Sequence, residues 1–270
     1  MPLAICATPI GNLDDVTLRV LKELAEADLV LCEDTRHTRK LLLRHGISAR
    51  TVSYHRHNEA SRTAEVLPRL VAGERIALAS DAGLPGVSDP GARLIAAALR
   101  AAVPVTVLPG PSAVETALVA SGLAEERYQF LGYLPRAEQA LEELWRELAA
   151  WPHAAVAFES PQRLPATLRS LARALPERPA AVCRELTKRF EEVVGGTGAE
   201  LAERFSTPPR GEITLVVGGA TAPPAAGVEI ARALDVVAEL VAAGLPRGRS
   251  AEVVARLTGL GRNRLYQDSL

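Results

Sequence analysis

Residues 75–113 constrain the fold more than any other part of the chain, because two glycine- and proline-rich turns there directly follow two apolar runs. The runs at 75–80 and 103–108 are typical of buried strands, and PGARLIAAALRAA between them is typical of a helix. Strand–helix–strand units of this kind build parallel sheets covered on both faces. Their ligands bind outside the carboxyl ends of the strands, where glycine-rich turns allow close approach to the backbone. The stretch therefore predicts an α/β fold with a small-molecule site.

The same alternation continues in both directions. LAICA, DLVLCED and TVSYH predict earlier strands separated by helices, and a further apolar helix ends near Gly122. YQFLGYLPR, HAAVAFES, RPAAVCREL, RFEEVVGGT and GEITLVVGG then predict a second α/β unit that is richer in consecutive strands. We expect the two units to meet near residues 110–125, with a site between them.

The last part of the chain differs in composition. ATAPPAAG at 220–227 has the paired prolines and small residues of a linker, and three short helices are predicted at 229–243, 250–258 and 262–268. The predicted organisation is an N-terminal α/β lobe at 1–112, a C-terminal α/β lobe at 113–219, and a linker with a small helical domain at 220–270.

Charge and cysteine content limit the function classes. The 31 Lys and Arg residues nearly balance the 32 Asp and Glu residues, so net charge gives no argument for nucleic-acid binding. Five arginines between residues 247 and 264 indicate either a local phosphate-binding face or a solvated helical tail. Three cysteines without C-x-x-C spacing argue against a disulfide framework or a zinc site. No apolar run approaches the ~20 residues of a membrane span, so we expect no membrane partner. The cysteine pattern favours a reducing cytoplasm, and we expect no bound metal.

Several nucleotide and hydrolase motifs are missing from the sequence. There is no G-x-G-x-x-G after the first strand, no G-x-x-x-x-G-K-[ST] and no G-x-S-x-G, which argues against NAD enzymes, P-loop enzymes and α/β-hydrolases. What remains is a series of polar strand ends: TPIGN, EDTR, SDAG, SDPG, PGPSA, FESPQR, RELTK and RGE. Each is compatible with ordinary turn chemistry, but their recurrence at nearly every strand end indicates a site.

These motifs also carry a resemblance to a known family. TPIGNLDDVTLRVLKELAEADLVLCEDTRHTRKLL, SDAGLPGVSDPGARL, LPGPSA, FLGYLPR, FESPQRL, RELTKRFEE and PRGEITLVVGG, in that order, resemble the ribosomal RNA small-subunit methyltransferase I family of the tetrapyrrole methylase superfamily. The resemblance covers residues 3–219, and the C-terminal helices resemble the family's small terminal domain. It implies two α/β lobes of the tetrapyrrole methylase type with a cofactor cleft between them.

The resemblance also implies an activity. It implies an S-adenosylmethionine-dependent enzyme that methylates the ribose 2′-hydroxyl of one cytidine in the decoding region of 16S rRNA, and that acts as a homodimer on the small ribosomal subunit. Two alternatives stay open: a methyltransferase acting on a carbon of a tetrapyrrole such as a corrin precursor, and a non-catalytic nucleic-acid-binding protein on a degenerate methylase fold. The C-terminal helices, FESPQR and RELTK favour RNA over a tetrapyrrole, and the intact cofactor turns argue against a non-catalytic protein.

By resemblance, the cofactor-binding residues are Pro9, Asp81, Ala82, Val87, Ser112 and Ala113. The chemistry agrees, since backbone groups at strand ends can hold the adenine and methionine parts and Asp81 can accept hydrogen bonds from the cofactor's amino or hydroxyl groups. A ligand without phosphate needs no Lys or Arg clamp, which explains the missing phosphate motifs.

A ribose hydroxyl is weakly acidic, so a base or a cation should assist its attack. We expect Lys188 to stabilise the developing charge and Glu185 or Glu212 to take the proton. For any one of these residues, a salt bridge at the lobe interface is the more common role, since paired charges at strand ends often occur without catalysis. The expected RNA contacts are Arg36, Arg39, Arg163, Arg189, Arg249 and Arg262.

Two positions depart from the family pattern. Leu84 stands where SDAGTP usually has Thr, and Gly195 stands where RGT has Arg. The first removes a hydroxyl near the cofactor turn, and the second removes an arginine near the expected substrate groove.

Overall fold

The computed structural model describes residues 2–220 and 230–269. The chain forms two compact units, of which the larger comprises 1–149 with 153–219 and the smaller comprises 150–152 with 220–270. The larger unit contains two sheets, as predicted, whereas the lobe boundaries at 112 and 219 stay a prediction. Most of the expected linker, residues 221–227, lies outside the described residues.

The first sheet is wholly parallel among its described strands, which confirms the prediction from residues 75–113. Its order is β3-β2-β4-β1-β5. The strands are β1 Leu3–Cys6, β2 Leu29–Cys32, β3 Thr51–Ser53, β4 Ile76–Ala79 and β5 Val105–Leu108, and the helices between them are α1 Leu18–Glu26, α2 Thr35–Arg44, α3 Glu59–Val71 and α4 Ala92–Arg100.

Alternate side chains of β1 build the two cores of this sheet. Leu3 and Ile5 pack with α3 and α4 residues on one face, and Ala4 and Cys6 pack with α1 and α2 residues on the other. Full burial of a Leu or Ile side chain stabilises the fold by about 1.5–3 kcal/mol. A strand buried on both faces must be apolar at every position, which is why LAICA lacks the alternation of a half-buried strand.

The second sheet is mixed, with the order β6-β7-β10-β8-β9. Strands β6 and β7 are parallel, whereas β10 is antiparallel to both β7 and β8, and β9 is antiparallel to β8. The elements are α5 Ala113–Ser121, β6 Tyr128–Tyr133, α6 Glu138–Ala150, β7 Ala154–Glu159, α7 Leu164–Ala174, β8 Pro179–Arg184, β9 Glu192–Thr197, α8 Gly198–Arg204 and β10 Ile213–Val217.

Helix α5 covers one face of this sheet. Val114, Ala117 and Leu118 pack there against strand residues such as Val156 and Val216, and Ile10 joins the same core. Because Ile10 belongs to the turn after β1, this core also ties the first sheet to the second.

The smaller unit contains the helices α9 Ile230–Ala242, α10 Arg247–Thr258 and α11 Arg262–Asp268. A core of its own includes Ala233, Val237, Ala251, Val254 and Leu265. The three predicted helices are confirmed, and α10 begins three residues earlier than expected, just after Pro246. No helix in the described part of the chain is long and apolar enough to cross a membrane.

Candidate active site

A cavity of about 840 Å³ lies between the two sheets, and we call it the acidic cavity. The turns that follow β4 and β5 form one wall, and strand ends of the second sheet form the other. Its lining comprises Ile10, residues 82–84, 87–89 and 109–115, Tyr128, Phe130, Tyr133, residues 158–161, Cys183, Leu186 and residues 211–214. This is the position where open α/β sheets bind ligands.

The turn after β4 is held against the turn after β1. Thr8 and Gly83 exchange backbone hydrogen bonds of 2.8 and 3.0 Å, and the Thr8 hydroxyl donates to the Ser80 carbonyl at 3.0 Å. Gly91 has a φ of 141°, and a side chain there would meet Leu78 at 3.0 Å and the Gly86 nitrogen at 3.2 Å. Glycine is therefore required for this turn to fold back over the strand end.

Four carboxylates line the acidic cavity: Asp89, Glu115, Glu159 and Glu212. Among its described lining residues, none is Lys or Arg. Glu159 is buried and bonded on both oxygens, since it accepts from Ser160 N–H at 2.6 Å and from the Thr167 hydroxyl at 2.6 Å. A lining whose described residues include carboxylates and no Lys or Arg favours a cationic ligand over a phosphate-bearing one.

Asp89 lies beside two further acids of the first sheet. Burial, together with the charges of Glu33 and Asp81, raises the pKa of Asp89 to about 6, against the opposing effects of Ser80 and Arg56. Arg56 also donates to the Ser88 carbonyl at 2.9 Å, which holds the backbone next to Asp89. Asp89 therefore keeps its proton to a higher pH than an ordinary aspartate does.

Lys188 bridges two carboxylates at the other side of the cavity. Its ammonium lies 2.9 Å from Glu185 Oε1 and 2.8 Å from Glu212 Oε2. Burial lowers the pKa of Lys188, but the hydrogen bonds to Glu212 and Glu185 outweigh this and leave the pKa raised. The hydrogen bond from Lys188 lowers the pKa of Glu185. Lys188 is thus a permanent cation, and Glu185 is a weak base.

The backbone around this cluster is unusual. Glu185 and Thr187 have positive φ values of 52° and 64°. Gly11, in the turn after β1, packs so closely that a side chain there would lie 2.6 Å from Lys188 Cγ and 2.7 Å from Thr187 Oγ1. Asn12 N–H donates to the Thr187 hydroxyl at 3.0 Å. The TPIGN turn therefore positions the RELTK turn that carries the charged cluster.

The structure distributes the predicted cofactor and catalytic residues over two positions. Those that line the acidic cavity are Ala82, Val87, Ser112, Ala113 and Glu212. Pro9, Asp81, Glu185 and Lys188 are not among its described lining residues, although Lys188 reaches the cavity-lining Glu212 at 2.8 Å. Asp81 accepts the Asp34 backbone N–H at 3.0 Å, which places its carboxylate at the start of α2.

The predicted RNA-contacting arginines are scattered. Arg36 pairs with Asp34 at 2.7 Å on α2, where Arg39 is exposed, and Arg189 lies 5.5 Å from the Phe190 ring. Arg249 and Arg262 are exposed on α10 and α11 of the smaller unit. Arg163 contacts Glu159 at 3.3 Å and donates to the carbonyls of Leu134 and Pro135, so its guanidinium holds internal groups.

The two departures from the family pattern have different surroundings. Leu84 is partly buried, packs on the core of the first sheet and lines the acidic cavity. Gly195 is exposed on β9, and a side chain there would find its nearest neighbour, the Ala180 carbonyl, at 3.9 Å. Leu84 thus has a packing role, and nothing in the structure requires glycine at 195.

Asp89 and Tyr133 of the cavity wall were not predicted as site residues. Asp89 belongs to SDPG, whose position after a strand was the available signal. Tyr133, in FLGYLPR, has 66% of its surface exposed and lies 5.5 Å from the Phe158 ring. Cys6, Cys32 and Cys183 are free thiols with at most 1% exposure, which agrees with the predicted absence of a disulfide framework. Among the described residues, no group of three or more His, Cys, Asp or Glu is arranged to hold a metal ion.

Comparison with known proteins assigns the class first. The family model described as Tetrapyrrole (Corrin/Porphyrin) Methylases matches residues 2–202. Among solved structures, the methyltransferase CobJ superposes with a TM-score of 0.62 at 20% identity, covering 81% of this chain and 94% of that one. Diphthine synthase gives 0.59 at 16% identity, covering 80% and 89%. At such identities the likeness shows the fold alone.

Curated relatives then define the family. A ribosomal RNA small subunit methyltransferase I from Synechocystis sp. is 42% identical over 99% of this chain and 97% of its own length. The protein of the same name from Mesorhizobium japonicum is 44% identical over 98% of this chain and 90% of its own length. The chain therefore belongs to the ribosomal RNA small subunit methyltransferase I family of the tetrapyrrole methylases.

Proposed function

We propose that the protein transfers a methyl group from S-adenosylmethionine to 16S rRNA, at the ribose 2′-hydroxyl of a cytidine in the decoding region. The acidic cavity carries the proposal. S-adenosylmethionine supplies an electrophilic methyl group on a cationic sulfonium, and it has no phosphate. A cavity of about 840 Å³ with carboxylates and no described Lys or Arg in its lining fits that ligand. The names of the near-full-length relatives support the rRNA substrate.

The wall formed by the first sheet holds the cofactor in this proposal. Ala82 lies in the turn after β4, and Ser112 and Ala113 lie at the start of α5. Val87, 53% exposed, offers an apolar surface. Pro9 and Asp81 belong to the turns after β1 and β4, which the Thr8–Gly83 hydrogen bonds hold together. Holding the two reactants aligned can contribute about 7–11 kcal/mol to catalysis.

In this proposal, the charged cluster of Lys188, Glu185 and Glu212 removes the proton of the substrate hydroxyl. Glu212 lines the cavity, and its side chain is 75% exposed, so its carboxylate can reach the substrate hydroxyl. When bound, S-adenosylmethionine would supply the methyl group and leave as S-adenosylhomocysteine, and Glu212 would accept the proton that the substrate hydroxyl loses. Lys188 stabilises the negative charge on the oxygen, and Glu185 orients Lys188. Glu185 is the less available acceptor, since its Oε1 already accepts hydrogen bonds from Lys188 Nζ at 2.9 Å and from the Glu212 backbone N–H at 3.0 Å.

The test uses small ribosomal subunits from a strain that lacks the protein, with purified protein and S-adenosylmethionine carrying a labelled methyl group. We expect one 2′-O-methyl group at a decoding-region cytidine, located by mass spectrometry. Glu212→Gln should lower kcat by about 10²- to 10⁴-fold, the usual contribution of a general base. Glu143→Gln, an exposed change on α6, is the matched control.

Three outcomes would reject the proposal. Calorimetry without S-adenosylmethionine binding would favour the non-catalytic alternative. Methylation of a tetrapyrrole carbon, with 16S rRNA unlabelled, would favour the other enzyme class. Full activity of Glu212→Gln would reject the assigned base. Homodimer formation and a cytoplasmic location stay predictions of the family resemblance.

A further inference from the structure

A second cavity, of about 630 Å³, adjoins the acidic cavity on the side of the second sheet. We call it the arginine cavity, because Arg136, Arg163, Arg169 and Arg173 line it. Glu138 is its only acidic residue among the described lining residues. Its charge is thus opposite to that of the acidic cavity.

Three of these four arginines have their guanidinium groups available. Arg163 is held by Glu159 and by two backbone carbonyls. Arg136 and Arg169 are exposed and have no hydrogen bond or ion pair within the described residues. Arg173 meets Glu138 at 3.4 Å, but both side chains are mostly exposed, and such a pair contributes little.

The spacing of these arginines suits a chain of anions. Arg169 and Arg173 are four residues apart on α7, so they are neighbours on one helix face, with Cβ atoms about 5–6 Å apart. Ala166 precedes them on the same wall and leaves room above the helix. Arg136 belongs to a different segment, the loop between β6 and α6.

The two cavities share Tyr133 and Ser160. The Tyr133 ring is 66% exposed at this junction and packs edge-on against Phe158. An exposed aromatic ring beside guanidinium groups is the usual platform for an unpaired nucleobase. An acidic peptide would be attracted by the arginines, but it would make no use of this ring.

We propose that the arginine cavity binds the sugar–phosphate backbone of the RNA next to the methylated nucleotide. Arg136, Arg169 and Arg173 contact phosphates, and Tyr133 stacks on a base at the entrance to the acidic cavity. The carboxylates of the acidic cavity repel phosphates, so only the target nucleoside enters. This inference rests on the proposed rRNA substrate.

The test compares two triple variants with equal charge change. Arg136→Gln/Arg169→Gln/Arg173→Gln removes the cavity arginines, and Arg19→Gln/Arg93→Gln/Arg100→Gln removes exposed arginines from α1 and α4. Binding of a 16S rRNA fragment is titrated at several salt concentrations. For three lost phosphate contacts, we expect the slope of log K against log salt to fall by about 2. Affinity near 0.1 M salt should fall at least tenfold for the cavity variant and less than threefold for the control.

Further readouts separate binding from folding. Affinity for S-adenosylmethionine and the melting temperature should match the wild type in both triple variants, and the triple Lys variant of the cavity should recover most RNA affinity. Tyr133→Ala should weaken RNA binding about tenfold or more, whereas Tyr133→Phe, which keeps the ring, should not.

Equal losses in the two triple variants would overturn the proposal, since they would reflect overall charge alone. Competition by poly-glutamate as effective as that by RNA would indicate an acidic protein partner instead. If the wild type binds the RNA through these arginines but methylates no rRNA, the proposed methyltransferase function is rejected, whereas RNA binding by the arginine cavity is supported. If the wild type methylates rRNA and the RNA affinity of the cavity variant is unchanged, only RNA binding by the arginine cavity is rejected.

Discussion

Asp89 shows how a carboxylate can be destabilised by its own site. It lies in the cavity wall beside Glu33 and Asp81, and burial with these neighbours raises its pKa to about 6. In the unfolded chain its pKa returns to about 3.9. Ionised Asp89 therefore costs stability above pH 6, and the cost disappears as pH falls towards 4.

Asp89→Asn should accordingly stabilise the protein at pH 7.5. A two-unit shift corresponds to at most about 2.7 kcal/mol, and partial solvent screening reduces our expectation to about 1 kcal/mol. Urea unfolding at pH 7.5 and pH 4 measures this, with Asp15→Asn on the surface as the control. A gain in unfolding free energy that is the same at both pH values would contradict the assigned origin.

At the scale of elements, the TPIGN and RELTK turns pack directly against each other, and a hydrogen bond from Asn12 N–H to Thr187 joins them. Gly11→Ala would place a methyl group within 3 Å of Thr187 and Lys188, so the turns must separate. We expect a loss of stability of about 1–3 kcal/mol, as for other overpacked sites, and a lower kcat because Lys188 moves from Glu212. Differential calorimetry and single-turnover kinetics check both effects. Gly195→Ala, where a side chain has room, should change neither, and an equal loss there would refute the explanation.

The elements themselves were largely predictable, because apolar runs and helical spacing are local properties. Helix α8 was missed as too short for a periodic pattern, although Thr197 and Glu200 form a capping box whose sequence signature was present. The pairing of β10 between β7 and β8 could not be predicted, since strand partners depend on long-range packing. For the same reason, the sequence predicted Arg163 as an RNA contact but could not show that Glu159 and two carbonyls hold its guanidinium.

At the scale of the whole molecule, the described lining of the acidic cavity falls within residues 10–214. Removing residues 229–270 should therefore leave the affinity for S-adenosylmethionine unchanged within about threefold. RNA affinity should fall, because Arg249 and Arg262 are lost. Calorimetry and filter binding measure the two, and Arg249→Gln/Arg262→Gln in the full chain is the control. If the truncated protein loses cofactor binding but keeps its RNA affinity, the assignment of cofactor binding to the larger unit and of RNA contacts to the smaller unit is wrong.

The central position of β10 also bears on biosynthesis. Both of its neighbours precede it in the chain, so β7 and β8 have no partner between them until residues 213–217 have left the ribosome. Unpaired strand edges invite association with other chains. Residues 211–214, which line the acidic cavity, leave the ribosome at the same stage of translation as β10. A nascent chain can therefore complete its second sheet and its ligand cavity only together, late in translation.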